Sequence, residues 1–463
     1  MNLNICGGAY ALEAPIAIQS CINLFPEVQP EGAIERIILR RFPGLKQFSA
    51  ELVGNKIRGI KRMSGVAYVV AGTTLYSVTA YGVTTSIGTI AGTNYVSMAT
   101  DGTNLVIVNG TVTAYIYNGS SLATITDADF LTADRVFYLD TYFVFHKTGT
   151  NVFFISNAAA PTVYTATDLA SKEGSPDLIV SFIVANRDLV LMGESTIEYW
   201  KNTGDTDFTF QRLEGVFQER GVIGLRSPVT MDNTIYFLGN DRIVYRIDGY
   251  RPVRISHHAI ENWLSEQEQE VLDQVNGMTI TYKGHYWYVL SFSTGTWVYD
   301  ATTSGLIESS EWFQLQSWNQ LNWRVDVVET VYNKTLCGDA EGYLYELDAK
   351  TLNENGNIQL KQRTAPYYHK EKKNLSCQRL ELGFKQGVAT TGETDPQVFL
   401  EISRSWGDTW SSRRSRSLGQ RGEYNQRAVW RRNGMSEGFA FRWSVTDDVD
   451  VYFTGAYGEF GIA

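Results

Sequence analysis

The chain has 463 residues, with 41 glycines, only ten prolines, 43% apolar residues and a net charge of −10. A chain this apolar is not disordered, and one this acidic is no general basic-surface binder of nucleic acid. The length leaves room for one large repeat-built unit plus an appended one; a 13% aromatic share with abundant Thr and Val favours strands over helices.

The charge is uneven. Residues 350–463 carry 17 Lys and Arg against 13 Asp and Glu, whereas the first 349 carry 23 against 37. Two regions of opposite sign meet different neighbours. Cys6, Cys21, Cys337 and Cys377 stand far apart, without CxxC spacing; they read as reduced thiols of a protein folded in a cytoplasm. The N-terminus lacks the basic region and apolar run of a signal peptide. No uncharged apolar stretch reaches the roughly 18 residues of a membrane helix. No membrane embedding is expected.

Residues 1–56 read as an extended N-terminal arm. Cys21-Ile-Asn-Leu-Phe-Pro26 and Arg40-Arg-Phe-Pro-Gly44 contain X-Pro steps, which disfavour helix. From Ile57 a repeat begins: an alternating apolar strand, a turn with Gly, Asn or Asp, and an aromatic-rich strand. Copies include Val66–Val78, Leu105–Tyr117, Tyr142–Ile155 and Thr335–Leu347. Their turn glycines, at 72, 110, 149, 193, 239, 295 and 338, are spaced by 38, 39, 44, 46, 56 and 43 residues. A period near 40–50 with four strands per unit is the signature of a propeller, whose blades bury their faces only by stacking in a ring. The expected fold is all-β: a β-propeller of six or seven blades over 57–349, six being allowed because the first and last units can share a blade. Within it, 257–275 reads as a short helical insertion on the rim. Ile260, Trp263, Leu264, Val271, Leu272 and Val275 fall at three- and four-residue spacing, and Ser265 with Glu268 fits a capping box. After a turn-rich linker from Lys350, residues 350–463 alternate again and predict an arginine-rich antiparallel β-sandwich-like domain.

No constellation for chemistry emerges. The five histidines form no HExxH or other ligand grouping, and neither a P-loop, nor GxSxG, nor GxGxxG after a strand occurs. The sequence therefore predicts no catalytic residue, no metal and no cofactor. Ser403-Arg-Ser-Trp-Gly-Asp-Thr-Trp410 resembles the sialidase Asp box with Ser405 in place of its aspartate; that box is a structural hairpin turn. The concentrated feature is charge: nine arginines between 404 and 442 face only Asp408, Glu423 and Glu437. Phosphates, a solvated strand face and acidic protein surfaces are the alternatives. The interleaved tryptophans favour a protein interface. Arg404, Trp406, Trp410, Arg413, Arg414, Arg427, Trp430, Arg431 and Arg432 are its candidate residues.

The chain resembles the tail hub, or nozzle, proteins of short-tailed bacteriophages, which stabilise packaged DNA. Asn23-Leu-Phe-Pro26, Arg40-Arg-Phe-Pro-Gly-Leu45, Ser403 to Trp410, Ser417-Leu-Gly-Gln-Arg-Gly-Glu-Tyr424 and Arg427-Ala-Val-Trp-Arg-Arg-Asn-Gly434 carry the resemblance. It implies a structural protein of the virion tail, assembled in the host cytoplasm. The implied partners are itself as a homo-hexamer, adaptor and portal ring proteins, tail fibres or spikes, and a plug or needle. Packaged DNA would pass through the channel without sequence-specific binding. The alternative is a soluble propeller that is carbohydrate-active or binds a ligand.

Overall fold

The computed structural model describes residues 2–3, 19–33, 35–52, 55–371, 373–390, 392 and 394–462. Seven antiparallel four-stranded blades form a ring, six as separate sheets and one as part of a larger sheet. Blade 1 spans 57–89, and blades 2 to 6 span 97–124, 133–171, 179–218, 229–254 and 276–315. Blade 7 takes three strands from 325–348 and its fourth from the N-terminal segment, Gly44–Gln47. The first strand of each blade lies innermost, against the first strands of its neighbours, and Val325–Val331 returns to Ile57–Met63 to close the ring. Between blades the apolar residues of facing sheets interlock: Val69 and Val78 of blade 1 share a core with Leu336 and Leu344 of blade 7.

All seven glycines of the repeat sit at or beside the link between a blade's second and third strands. They serve different ends. Gly72 has φ +51°, a left-handed conformation that a Cβ disfavours. Gly338 lies inside a strand, where a Cβ would come within 2.6 Å of Ile57 on the neighbouring blade.

The helical insertion is present as α1, His258–Ser265, and α2, Gln269–Asp273. Ile260, Leu264, Leu272 and Val275 are buried against Tyr288 and Trp297 of blade 6. Each such side chain contributes about 1.5–3 kcal/mol by leaving water. The expected capping box does not form. Ser265 Oγ donates to Asn262 O instead, and Glu268 caps α2 with no side-chain bond. An unanticipated helix, α3, Ala301–Ile307, joins the third and fourth strands of blade 6; its N-cap, Asp300, accepts from Thr303 N.

The second unit is a β-sandwich. One sheet runs Leu24–Val28, Ile37–Arg41, Tyr452–Ile462, Leu375–Phe384, Ala428–Arg431. The other runs Ser20–Ile22, Lys361–Thr364, Gly438–Val445, Gln397–Ser403, Arg414–Ser417. Between them lie Leu380, Leu400, Trp430, Phe441, Trp443 and Phe453. The described part of the N-terminal segment is thus woven into both units: 20–41 supplies sandwich strands and 44–47 closes the propeller. Ser20–Ile22 also pairs in parallel with Trp312–Leu315, so the blade 6 sheet runs on into the sandwich. Cys21, Cys337 and Cys377 are buried; Cys6 lies outside the described residues.

Candidate partner interface

The structure divides eight of the nine arginines among four places, Arg421 lying exposed in a turn apart from them. At the seam between the edges of the two sandwich sheets, arginines act as stitches. Arg414 Nη2 donates to Asn433 Oδ1 at 2.8 Å, Arg404 Nη2 to Asn433 O at 2.7 Å, and Arg416 Nε to Val429 O at 2.8 Å. These bonds run from one sheet to the other. Burial, then the neighbouring Arg416 and Arg404, push the Arg414 guanidinium down from its ordinary value. Trp430 is fully buried beneath this seam and donates to Arg414 O at 3.1 Å. It is a core residue and presents no surface to a partner.

On the outer face of one sheet, Glu401 sits opposite Arg442 in register. Arg442 binds it through two nitrogens, at 2.9 and 3.1 Å, and Arg413 approaches at 3.6 Å. The Arg442 guanidinium lies over the Trp410 ring at 4.1 Å. On the other sheet, Arg427 grips Glu381 with two bonds of 2.6 Å, and Arg379 donates to the same carboxylate at 2.6 Å. The hydrogen bonds to Glu381 raise the Arg427 pKa. Trp410, Arg413 and Arg427 therefore already have partners within the chain.

The fourth place is an exposed corner. Arg431 and Arg432 end an edge strand, and Arg432 has φ +57°. Neither pairs with a carboxylate among the described residues, nor does Arg404. Trp406, 37% exposed, stacks on Tyr367 at 3.8 Å between ring centres, and Tyr367 OH donates to Arg404 O at 3.5 Å. Met435, two residues beyond Asn433, is exposed beside this cluster. The structure brings Arg404, Trp406, Arg431 and Arg432 to one end of the sandwich: a cationic corner with one aromatic and one thioether surface.

Sequence reasoning missed Glu381 and Glu401, which lie outside the 404–442 window and meet it only through strand pairing. It also missed Asn433, whose amide and carbonyl anchor the seam. The loop resembling the Asp box is a self-contained turn. Ser403 Oγ accepts from Gly407 N at 2.9 Å, and Ser405 Oγ accepts from Thr409 N at 2.9 Å, as a carboxylate would.

The histidines are dispersed. His146 contacts Asp134 at 2.7 Å and His285 contacts Asp300 at 2.7 Å, each inside a blade. His257 is half-buried, and the loss of water around its ring depresses its pKa to about 4. Among the described residues, no group of three His, Cys, Asp or Glu is placed to hold a metal ion, and no helix is long and apolar enough to cross a membrane.

Two known domains match the chain in order, the first also taking in the N-terminal strands that the sandwich uses. Residues 1–352 match the family domain described as bacteriophage P22 Gp10, beta-propeller, and residues 361–459 match that described as bacteriophage P22 Gp10, beta-sandwich. The tail hub protein gp10 of Salmonella phage P22 is 23% identical over 422 residues, covering 86% of this chain and 85% of its own. Among solved structures, BamB from Moraxella catarrhalis aligns at 10% identity over 72% of this chain and 98% of its own, with a TM-score of 0.38. The computationally designed Ika8 protein aligns at 12% identity over 71% and 99%, with a TM-score of 0.39. By its propeller and its sandwich alike, this chain belongs to the bacteriophage P22 Gp10 family of tail hub proteins and is a structural protein of the virion tail.

Proposed function

We propose that six copies of this chain form a ring beneath the portal and its adaptor ring. The ring continues the DNA channel and retains the packaged genome behind a plug or needle. It also gives tail fibres or spikes their attachment. The observation that carries this reading is that both family domains match in order, across nearly the whole chain. The asymmetric charge supports it: an acidic propeller lets DNA slide, since dense phosphate pairing would retard it, while the cationic sandwich corner suits an acidic protein neighbour. No residue acts as a catalyst in this role. The test is the mass and image of the complex formed with the adaptor. The expected result is a closed ring of six copies. A complex containing a single copy overturns the hexamer.

A further inference from the structure

A cavity of about 260 Å³ lies on the propeller axis, bordered by residues from six of the seven blades. At roughly 30 Å³ per molecule it has the room of about eight waters. Its wall is charged. Lys61, Arg135 and Arg226 face it together with Asp134, Glu329 and the Tyr95 ring. Lys56, 3.7 Å from the centre of that ring, stands at its edge with Asp326.

The acids are accounted for. Asp134 contacts His146 at 2.7 Å. Asp326 lies 4.0 Å from Lys56. Glu329 is pushed up by burial, with Lys61 the foremost charge opposing that rise. The two guanidiniums are compensated only in part: Asp134 acts on Arg135, and the Tyr95 side chain and Asp326 act on Arg226, yet burial holds both below their ordinary value. Arg135 donates to the carbonyls of Leu225 and Pro228, on either side of Arg226. Arg226 donates to the carbonyl of Asp326 at 3.3 Å and lies over the Tyr95 ring at 3.4 Å. Neither pairs with a carboxylate among the described residues. Two like charges thus stand side by side among carbonyls, one tyrosine and acids beyond ion-pair distance. Burial and the neighbouring Arg226 together depress Arg135 to about 10. A protein interior tolerates such a pair when an anion completes it, and planar guanidinium forks match the oxygens of a tetrahedral oxyanion.

We propose that the propeller axis binds one small inorganic oxyanion, of the phosphate or sulfate class, between Arg135 and Arg226. The anion bridges blade 3 and the segment entering blade 5, and so fastens the ring from its centre. The assignment is to the free ion, and adenosine monophosphate is the contrasting probe.

The test uses the full chain and inorganic phosphate. Calorimetry at constant ionic strength should give one phosphate per chain, sulfate should compete, and thermal unfolding should shift upward with phosphate concentration as linkage requires. Adenosine monophosphate should not displace the phosphate. Arg226→Gln should abolish the phosphate-dependent shift, whereas Arg212→Gln, on the exposed outer strand of blade 4, should keep it. Should Arg226→Gln fail to fold, phosphorus NMR of phosphate with the unaltered chain decides: line broadening reversed by sulfate is expected. Absence of uptake by the unaltered chain overturns the proposal, as does a folded Arg226→Gln that binds equally well. Displacement by adenosine monophosphate as strong as by sulfate overturns the free-ion assignment.

Discussion

Asn23 shows how much one side chain carries at the joint between the two units. Its backbone is left-handed, with φ +53°, which Asn adopts more readily than other non-glycine residues. Its Nδ2 donates to Gln316 O and to Leu360 O, both at 2.8 Å, and its Oδ1 accepts from Gln316 N at 3.0 Å. One amide thus ties blade 6 to the first strand after the linker, with no exposure to water. Asn23→Ala would strand three partly buried backbone groups and strain the turn. At about 1–3 kcal/mol for each unsatisfied group, the loss should be about 3–5 kcal/mol, read as a lower denaturant midpoint; an unchanged midpoint contradicts the joint.

Glu354, in the linker beside this joint, acts in the opposite sense. Burial raises its carboxyl to about 7, and its Oε2 accepts no hydrogen bond. A raised carboxyl pKa favours the folded state in acid. That advantage is complete below the unfolded value near 4.5 and is lost as pH climbs to about 7. Above that the charged form costs on the order of 3 kcal/mol. Glu354→Gln should therefore stabilise the protein at pH 8 and change little at pH 4.5, measured as melting temperature at both.

At the scale of elements, ring closure rests on four residues far from the rest of their blade. Gly44–Gln47 pairs with Leu344–Asp348, placing Leu347 opposite Leu45, which is completely buried. Leu45→Ala should cost about 2–5 kcal/mol through lost burial and the cavity left behind. Removing 44–47 altogether should bare an edge strand and promote self-association, visible by light scattering. The sequence displayed the six self-contained blades because each is a local meander whose alternation and turn residues lie within some 40 residues. It could not display the seventh blade's outer strand, since Gly-Leu-Lys-Gln carries no period of its own and finds its partner some 300 residues away. The same holds for Ser20–Ile22. Helix α3 was hidden for another reason: Ala-Thr-Thr-Ser-Gly-Leu-Ile has weak helix propensity, and its capping aspartate and the blade 6 strands impose the turn. The candidate interface was legible as composition only. Which arginines remain free depends on cross-strand register, because Glu381 and Glu401 reach theirs from other strands.

Considered as a whole molecule, the chain joins an acidic propeller to an arginine-rich sandwich. The neutralised arginines, on Glu381 and Glu401, rigidify the sandwich faces, and the stitches at Asn433 lock its edge. The candidate surface for a neighbour is the corner of Arg431 and Arg432 beside Trp406, with Arg404, exposed there although one of its nitrogens is already a stitch on Asn433. Exposed guanidiniums beside one another repel, so the corner gains most from an acidic surface that can accept paired hydrogen bonds, and the Trp406 ring offers apolar area at its centre. Arg431→Glu together with Arg432→Glu should leave the isolated chain folded, because neither side chain has an ion-pair partner to lose. In the proposed assembly it should block docking to the adaptor ring. Trp406→Ala should weaken the same docking by about 2 kcal/mol if this ring is an anchor, with a smaller effect on folding. The contrast is Arg427→Glu, which breaks the Glu381 grip and should lower stability before it touches assembly. Circular dichroism separates folding from docking, and co-sedimentation with the adaptor measures docking. If the Arg431, Arg432 double variant docks as the unaltered chain does, the corner is a solvated face and the sandwich meets its neighbour elsewhere.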